Sequence, residues 1–526
     1  MISHITAFND RIWADIEDRF SPLPPQAKNW KIIHLLPLLA ELPLGIVSNF
    51  LQAVNKTASY LASFSPWPAF PHPKKDFSSV LEDSRQWSRL GDIEDKINLG
   101  HGNPQFLFGT ATCTLQDSFN ECPDSQWAEW TKKKVPEDNL PKEGGGLFSL
   151  YRTEAGRKQI TDSLHKLGVN SYRFSIPWSK IQPKEGEWDE ESLRVCVEFC
   201  KHLRNEGITP MVTLHHFSEP LWFHEKGSFE KEENIDAFLF FTEKAFDALT
   251  VDYSGKPLVD HFCTINEPAV EAFSRFVRGA FSPGLFFNFK RAAQFLKGAL
   301  KAHCIVYDKL KAKAPDVKIG IVHQYLKMIP SNPLLFPVTH YLNRLVNSVS
   351  LEFFRTGKFS FKMPFVCNVT GEMPKPKTDF VGVQYYSRPL IGLTGSTSYY
   401  EPMTQMPMRE DPEGLYEAII ETHKAYKAPV IVTENGISTH NAAQRARYVP
   451  RALYAAQRAQ EVIGKENLLG YYLWSFTDNF EWDMGMKPQS FGAFTIDQKL
   501  KEGSQAFARI LKAWRSTCKT DDRIAS

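Results

Sequence analysis

This sequence has few cysteines and almost no net charge. Each of these two features excludes a class of protein. Eight cysteines are spread between Cys113 and Cys518, far from the density of a small secreted domain held by disulfides. The formal net charge is only +2, and no basic stripe alternates with aromatic residues, so a nucleic-acid partner is not expected. We therefore expect a reduced, cytoplasmic protein.

The sequence also predicts no secretory signal and no uninterrupted membrane span. Its first twenty residues are acidic and mixed, without a long apolar run. The most apolar segment, residues 31–54, carries Glu41 near its middle and is interrupted by Pro37 and Pro43. A central carboxylate costs roughly 3 kcal/mol on insertion scales, so we do not expect this segment to span a membrane. We expect it to dock on the rest of the protein, with peripheral membrane or glycolipid contact as the alternative.

Glycine-rich phosphate loops are missing as well, which argues against a doubly wound nucleotide-binding sheet. From about residue 100 onward, short β-type runs instead alternate with longer helical patterns. Such alternation predicts parallel βαβ units, and eight of them suit an α/β protein of the (β/α)₈ TIM-barrel class with long loops. We predict an extra N-terminal, partly apolar helical segment over residues 1–100 and the barrel over residues 101–526. The predicted strands cover residues 105–112, 170–176, 209–217, 261–267, 317–324, 379–386, 429–435 and 468–476.

Two of these runs end on a glutamate. "HFCTINEP" carries Glu267 and "PVIVTENG" carries Glu434. The chemistry of such a barrel lies at the C-terminal ends of its strands, and a buried carboxylate is costly unless it is paired or used. Two carboxylates across a cleft can cleave a glycosidic bond, one as proton donor and one as nucleophile or base. The competing interpretation is that the two glutamates only form structural ion pairs. If they are catalytic, Arg173 and Tyr386 are candidates to keep one of the two carboxylates ionised.

Seven stretches in chain order resemble glycoside hydrolase family 1, the retaining β-glucosidases and β-galactosidases. Each is modest evidence alone, but their common order over about residues 105–515 makes the resemblance specific. They are "FLFGTATCTLQ", "GVNSYRFSIPWSKIQP", "TLHHFSEPLW", "TINEP", "DFVGVQYYSRP", "VTENG" and "GYYLWSFTDNFEWDMG".

The resemblance implies roles for ten residues. Glu267 would be the general acid/base and Glu434 the nucleophile. Arg173 and Tyr386 would position and ionise Glu434, and Asn266 would hold the 2-hydroxyl of the sugar. The remaining sugar contacts would come from Gln116, His216, Trp474, Glu481 and Trp482, with the Trp474 ring under the sugar.

The implied activity is that of a retaining β-glycosidase acting on terminal non-reducing β-D-glucosides or related neutral β-glycosides through a covalent glycosyl-enzyme intermediate. No cofactor and no metal is expected, because His215 and His216 are adjacent in a strand and point to opposite faces. Glu481 disfavours a 6-phosphorylated sugar, since members acting on those carry a small hydroxyl residue there. One alternative is a transglycosidase with a sugar or glycolipid acceptor, and another is a non-catalytic sugar-binding protein.

This sequence departs from the family pattern at Gln384, where the family has asparagine. The longer side chain shifts an amide near the nucleophile. We therefore assign Gln384 no role from the sequence.

Overall fold

Eight parallel strands close into a barrel in the computed structural model of this chain. The described residues are 93–521, except 142–145, 332, 393–394, 398–403, 407 and 487–488. Strands adjacent in sequence pair with each other, and the last pairs with the first, with Trp474 opposite Ala111. The strands are β1 (Leu107–Ala111), β2 (Ser171–Ser175), β3 (Thr209–His215), β4 (His261–Ile265), β5 (Lys318–Gln324), β6 (Phe380–Tyr385), β7 (Val430–Asn435) and β8 (Leu468–Trp474).

Each strand is followed by a helix on the outside of the barrel, so the predicted βαβ order and the TIM-barrel class are confirmed. Local sequence marks the helix ends: α1 begins at a Thr153 cap and ends at Gly168, which takes a left-handed φ of 87°. The outer helices are α1 (Glu154–Leu167), α2 (Glu190–Asn205), α3 (Ile235–Leu249), α4 (Phe289–Lys313), α5 (Val349–Thr356), α6 (Gly414–Tyr426), α7 (Ala442–Ile463) and α8 (Gln505–Asp521).

Shorter elements decorate the loops. The short helices are Thr114–Asp117, Gln126–Lys134, Leu147–Tyr151, Trp178–Ile181, Leu221–Glu225, Pro268–Phe276 and Phe336–Asn343. Lys358–Met363 pairs with Cys367–Glu372 as a hairpin, and the remaining short strands are Asp252–Tyr253, Lys256–Pro257, Ile329–Pro330, Leu390–Gly392 and Gly395–Thr397.

The two largest hydrophobic clusters of the described residues lie on the two sides of the barrel wall. The larger cluster lies between the strands and the outer helices, where alternate strand residues such as Val430 and Val432 pack outward. The second cluster fills the barrel interior with residues such as Met211 and Ile431. Gly109 leaves room for the ring of Tyr472 there, since a Cβ on Gly109 would lie 2.3 Å from that ring. A filled interior leaves the C-terminal strand ends as the place for a site.

Residues 93–100 already pack against the barrel. Ile97 and Leu99 are buried in the larger cluster, and the Trp514 indole donates a hydrogen bond to the carbonyl of Gly100 at 2.9 Å. The N-terminal extension expected over residues 1–100, with its apolar run at 31–54, lies outside the described residues up to residue 92. The proposed domain division therefore stays a prediction.

No helix within the described residues is long and apolar enough to cross a membrane. All eight cysteines are free thiols, and six of them are buried.

Candidate active site

Glu267 and Glu434 lie at the C-terminal end of the barrel and are both buried, with exposed fractions of 5% and 3%. Glu434 lies within β7, whereas Glu267 follows β4 by two residues. The pairing of β6 with β7 runs from Val383 opposite Val432 to Gln384 opposite Glu434, so it skips Thr433. Such an irregularity re-aims the side chains that follow it, which is how a hydrophobic strand presents a carboxylate at its end.

The Glu434 carboxylate is held by two donors. Arg173 donates from Nη1 to Oε1 at 2.5 Å, and the Tyr386 hydroxyl donates to Oε2 at 2.7 Å. Burial raises the pKa of Glu434 above its ordinary value, although the charge of Arg173 and these hydrogen bonds act to lower it. Both donors favour the ionised form, so Glu434 is the carboxylate of the pair that keeps its charge.

Glu267 has the opposite surroundings. Burial raises its pKa well above the ordinary glutamate value, and the negative charges of Glu434 and Glu481 raise it further, with only Arg173 opposing. Within the described part of the chain, no side chain hydrogen-bonds to the Glu267 carboxyl. Glu267 is therefore the member of the pair that holds a proton, and the two glutamates together provide one acid and one base.

Asn266 is oriented by two donors on one atom. Its Oδ1 accepts from Arg173 Nη2 at 2.7 Å and from Gln384 Nε2 at 2.8 Å. Because Oδ1 is occupied twice, the Nδ2 group is the one left to donate to a ligand, and no described residue accepts from it. Arg173 thus links Asn266 to Glu434.

Gln384, which we assigned no role from the sequence, contacts the candidate site. It contacts Asn266 directly and also acts to lower the pKa of Glu434. Its position opposite Glu434 in the sheet is a signal, but that register depends on the skipped Thr433, which the sequence does not reveal.

The predicted sugar-binding residues lie at or after the ends of three strands, β1, β3 and β8. The His216 ring lies 6.0 Å from the Trp474 ring and 6.2 Å from the Trp482 ring. Burial and the charge of Arg173 keep the pKa of His216 well below its ordinary value, so the ring is neutral. Gln116 Nε2 donates to the carbonyl of Phe480 at 2.8 Å and to Glu481 at 3.3 Å.

Glu481 carries less negative charge at neutral pH than we expected from the sequence. Burial, with the charges of Asp483 and Glu434, raises the pKa of Glu481 to about 8. At neutral pH its carboxyl therefore carries a proton much of the time. Glu481 therefore repels a sugar phosphate with a full negative charge only at pH values above the pKa of its carboxyl.

His215 and His216 point to opposite sides of β3, as predicted. His215 Nε2 lies 2.9 Å from Glu271 Oε2, on the helix side of the strand. His215, Glu219 and Glu271 are the one group within the described residues with metal-ligand spacing. Arg275 forms ion pairs with both carboxylates, at 2.8 Å to Glu219 and 2.7 Å to Glu271, so a cation already neutralises this group.

Comparisons with known proteins agree with this geometry. The family model described as Glycosyl hydrolase family 1 matches residues 157–515. The solved structure of a beta-glycosidase from Pyrococcus horikoshii has a TM-score of 0.67 and 29% identity, covering 79% of this chain and 95% of that one.

Two similar proteins of known name differ in the activity that the name states. The 6-phospho-beta-galactosidase of Staphylococcus epidermidis is 26% identical over 397 residues, which cover 64% of this chain and 82% of that protein. Galactolipid galactosyltransferase SFR2, chloroplastic, of Arabidopsis thaliana is 27% identical over 388 residues, which cover 67% of this chain and 56% of that protein. Since the family model matches well over half of the chain, the protein belongs to glycosyl hydrolase family 1 and is a glycoside hydrolase.

Proposed function

We propose that the protein is a retaining β-glycosidase that hydrolyses terminal non-reducing β-D-glucosides or related neutral β-glycosides. The observation that supports it best is the contrast between the two buried glutamates. Glu434 is bonded to Arg173 and Tyr386, whereas Glu267 has no such donor among the described residues and faces negative charge. Double displacement needs one ionised carboxylate and one protonated carboxyl at the same moment.

In the first step, the Glu434 carboxylate attacks the anomeric carbon. The bond from that carbon to the leaving oxygen breaks, and Glu267 gives its proton to that oxygen. In the second step, the Glu267 carboxylate takes a proton from water, and the resulting hydroxide attacks the anomeric carbon and releases Glu434. Each residue ends the cycle in its starting protonation state.

The sugar would be held by groups around this pair. Asn266 Nδ2 would donate to the 2-hydroxyl, a contact that strengthens as the transition state forms. Neutral His216 can donate or accept, and Gln116, Glu481 and Trp482 would contact other hydroxyls. Trp474 would lie under the ring, since an aromatic face suits the apolar face of a sugar.

A neutral sugar is favoured by the lack of an available cation in the described part of this region. Arg278 is bonded to Asp483 at 3.1 Å, next to Glu481. Lys487, the next cation along the chain after Glu481, lies outside the described residues. A phosphate would therefore meet two carboxyl groups and a cation that already has a partner.

The experiment is a panel of aryl β-glucosides and β-galactosides with and without a 6-phosphate, together with the aryl β-fucoside, which has no 6-hydroxyl. NMR should identify the anomer released first. We expect turnover of neutral sugars and initial release of the β-anomer. Initial release of the α-anomer would overturn the retaining mechanism, and higher kcat/KM on 6-phosphorylated sugars would overturn the neutral substrate.

The similarity to the Arabidopsis galactolipid galactosyltransferase favours a second candidate, transfer of the glycosyl group to a sugar or glycolipid acceptor. Such an enzyme uses the same glutamates but replaces water with an acceptor hydroxyl. Product analysis with and without galactolipid vesicles distinguishes the two. Transfer product exceeding free sugar at low acceptor concentration would favour the transferase, and free sugar alone would favour hydrolysis.

A further inference from the structure

A buried network of charged side chains lies behind the active site, on the helix side of β3. Arg275 Nη1 donates to Glu219 Oε1 at 2.8 Å, and its Nη2 lies 2.7 Å from Glu271 Oε1. Glu271 Oε2 lies 2.9 Å from His215 Nε2. The side chains of these four residues are 0–1% exposed. None of them has a role in the mechanism above.

Glu219 extends the network into the loop after β3. Its Oε1 lies 2.8 Å from His224 Nδ1, and its Oε2 accepts from the Ser228 hydroxyl at 2.6 Å. The carboxylate therefore has partners on both oxygens, as a buried charge requires. Through Arg275, this loop is tied to the helix Pro268–Phe276.

That helix begins at Glu267. The backbone amides of Val270 and Glu271 both donate to the Glu267 carbonyl at 3.0 Å. Glu267 itself takes a left-handed conformation, with φ 40° and ψ 56°. Such a conformation costs a non-glycine residue about 1–3 kcal/mol and persists only where the surrounding structure holds it.

The Glu267 carboxyl depends on this backbone more than Glu434 does. Glu434 is held by bonds to Arg173 and Tyr386, but no described side chain hydrogen-bonds to the Glu267 carboxyl. Its place relative to the leaving oxygen is therefore set by where the helix starts. His215, bonded to Glu271, also precedes the sugar-binding His216 in the chain, so the network joins both walls of the site.

We propose that Glu271 and Arg275 are positioning residues that hold the Glu267 carboxyl at the leaving oxygen through the helix Pro268–Phe276. The proposal rests on the proposed role of Glu267 as general acid/base. Displacing that carboxyl slows bond cleavage only where the leaving group needs a proton.

The experiment measures kcat/KM of the full-length Glu271→Gln and Arg275→Met variants on two aryl β-glycosides. The phenyl glycoside has a poor leaving group that needs the acid, and the 2,4-dinitrophenyl glycoside has one that does not. A misplacement of about 1 Å can cost about 100-fold, so we expect a loss of tenfold or more on the phenyl substrate. On the dinitrophenyl substrate we expect less than about a twofold change, because that step bypasses proton transfer.

Glu271→Gln keeps the shape of the side chain and the Arg275–Glu219 pair, so it tests the proposal even if Arg275→Met does not fold. The matched control is Glu410→Gln. Glu410 is also buried and bonded to arginines, at 2.9 Å to Arg451 and 2.7 Å to Arg447, but lies away from the helix of Glu267. We expect the control to show no difference between the two substrates.

Equal losses on both substrates, or no loss on either, would overturn the positioning role. Glu267→Gln serves as the reference. If that variant shows no dependence on the leaving group, the proposed role of Glu267 fails. If it shows the dependence and Glu271→Gln does not, the positioning role alone fails.

Discussion

The ends of β7 and β4 present the same residue type in opposite surroundings. At the end of β7, Glu434 accepts from Arg173 and Tyr386. After the end of β4, Glu267 meets the charges of Glu434 and Glu481, and no side chain in the described part of the chain donates to it. The surroundings of each glutamate, and not its residue type, therefore separate the proposed acid from the proposed nucleophile.

The two ends also differ in how they hold their glutamate. Glu434 is part of a strand, and its side chain is fixed by hydrogen bonds. Glu267 lies in a left-handed turn between β4 and the helix Pro268–Phe276, and its backbone alone places the carboxyl. We expect substitutions near Glu434 to change its pKa and substitutions near Glu267 to change its position.

The largest effect should come from removing the nucleophile. Glu434→Ala leaves the anomeric carbon without its attacking group, so we expect kcat to fall by about 10⁴-fold or more. Steady-state kinetics on an aryl β-glucoside measures this, with thermal unfolding as the control for folding. Turnover near the wild-type rate would remove Glu434 from the mechanism.

Removing the acid should give a smaller loss that depends on the leaving group. We expect Glu267→Ala to lose about 10²–10⁴-fold on a phenyl glucoside and far less on a dinitrophenyl glucoside. Azide needs no general base, so it should restore turnover and yield a β-glycosyl azide. An α-glycosyl azide, or equal losses on both substrates, would contradict the proposed roles of Glu434 as nucleophile and Glu267 as acid.

Tyr386→Phe should shift the pH profile. The Tyr386 hydroxyl donates to Glu434 at 2.7 Å and lowers the pKa of that carboxyl. Without the donor the pKa of Glu434 rises, so the protonated, inactive form persists to higher pH. We expect the acidic limb of kcat/KM to move to higher pH while the alkaline limb stays in place, with a loss of about tenfold at the optimum. An unshifted acidic limb would show that Tyr386 does not help to ionise Glu434.

Much of the fold followed from the sequence because short apolar strand patterns alternate with longer helical patterns along the chain. Val430 to Val432 form an apolar run that only a buried strand explains, and all eight predicted strands are present in the described structure. The alternation with helices then left few topologies. Residues 1–92 have no such alternating pattern, and their apolar run is compatible both with docking on the protein and with membrane contact.

Liposome flotation of the full chain against one beginning at residue 93 would test membrane contact of this segment.

The site was only partly predictable. Motifs identified Glu267 and Glu434, but the pKa of Glu481 depends on burial beside Asp483 and Glu434, which a sequence does not state. The network of Glu271 and Arg275 was equally hidden, since Arg275 joins the helix Pro268–Phe276 to Glu219 in the loop after β3. In each case the missing information is a contact between segments distant in the chain.

Gln384 is the sharpest example, and it gives the smallest expected effect. Its amide donates to Asn266 Oδ1, a bond worth about 1 kcal/mol, or roughly fivefold in rate. We expect Gln384→Leu to lose about that much kcat/KM on a β-glucoside and almost nothing on the 2-deoxy-β-glucoside, since Asn266 would contact the 2-hydroxyl. Gln384→Asn, the family's residue, is the matched variant, and its shorter side chain tests whether this chain needs the extra methylene to reach Asn266. Equal losses on both sugars would show that Gln384 acts on Glu434, in β7, and not on Asn266.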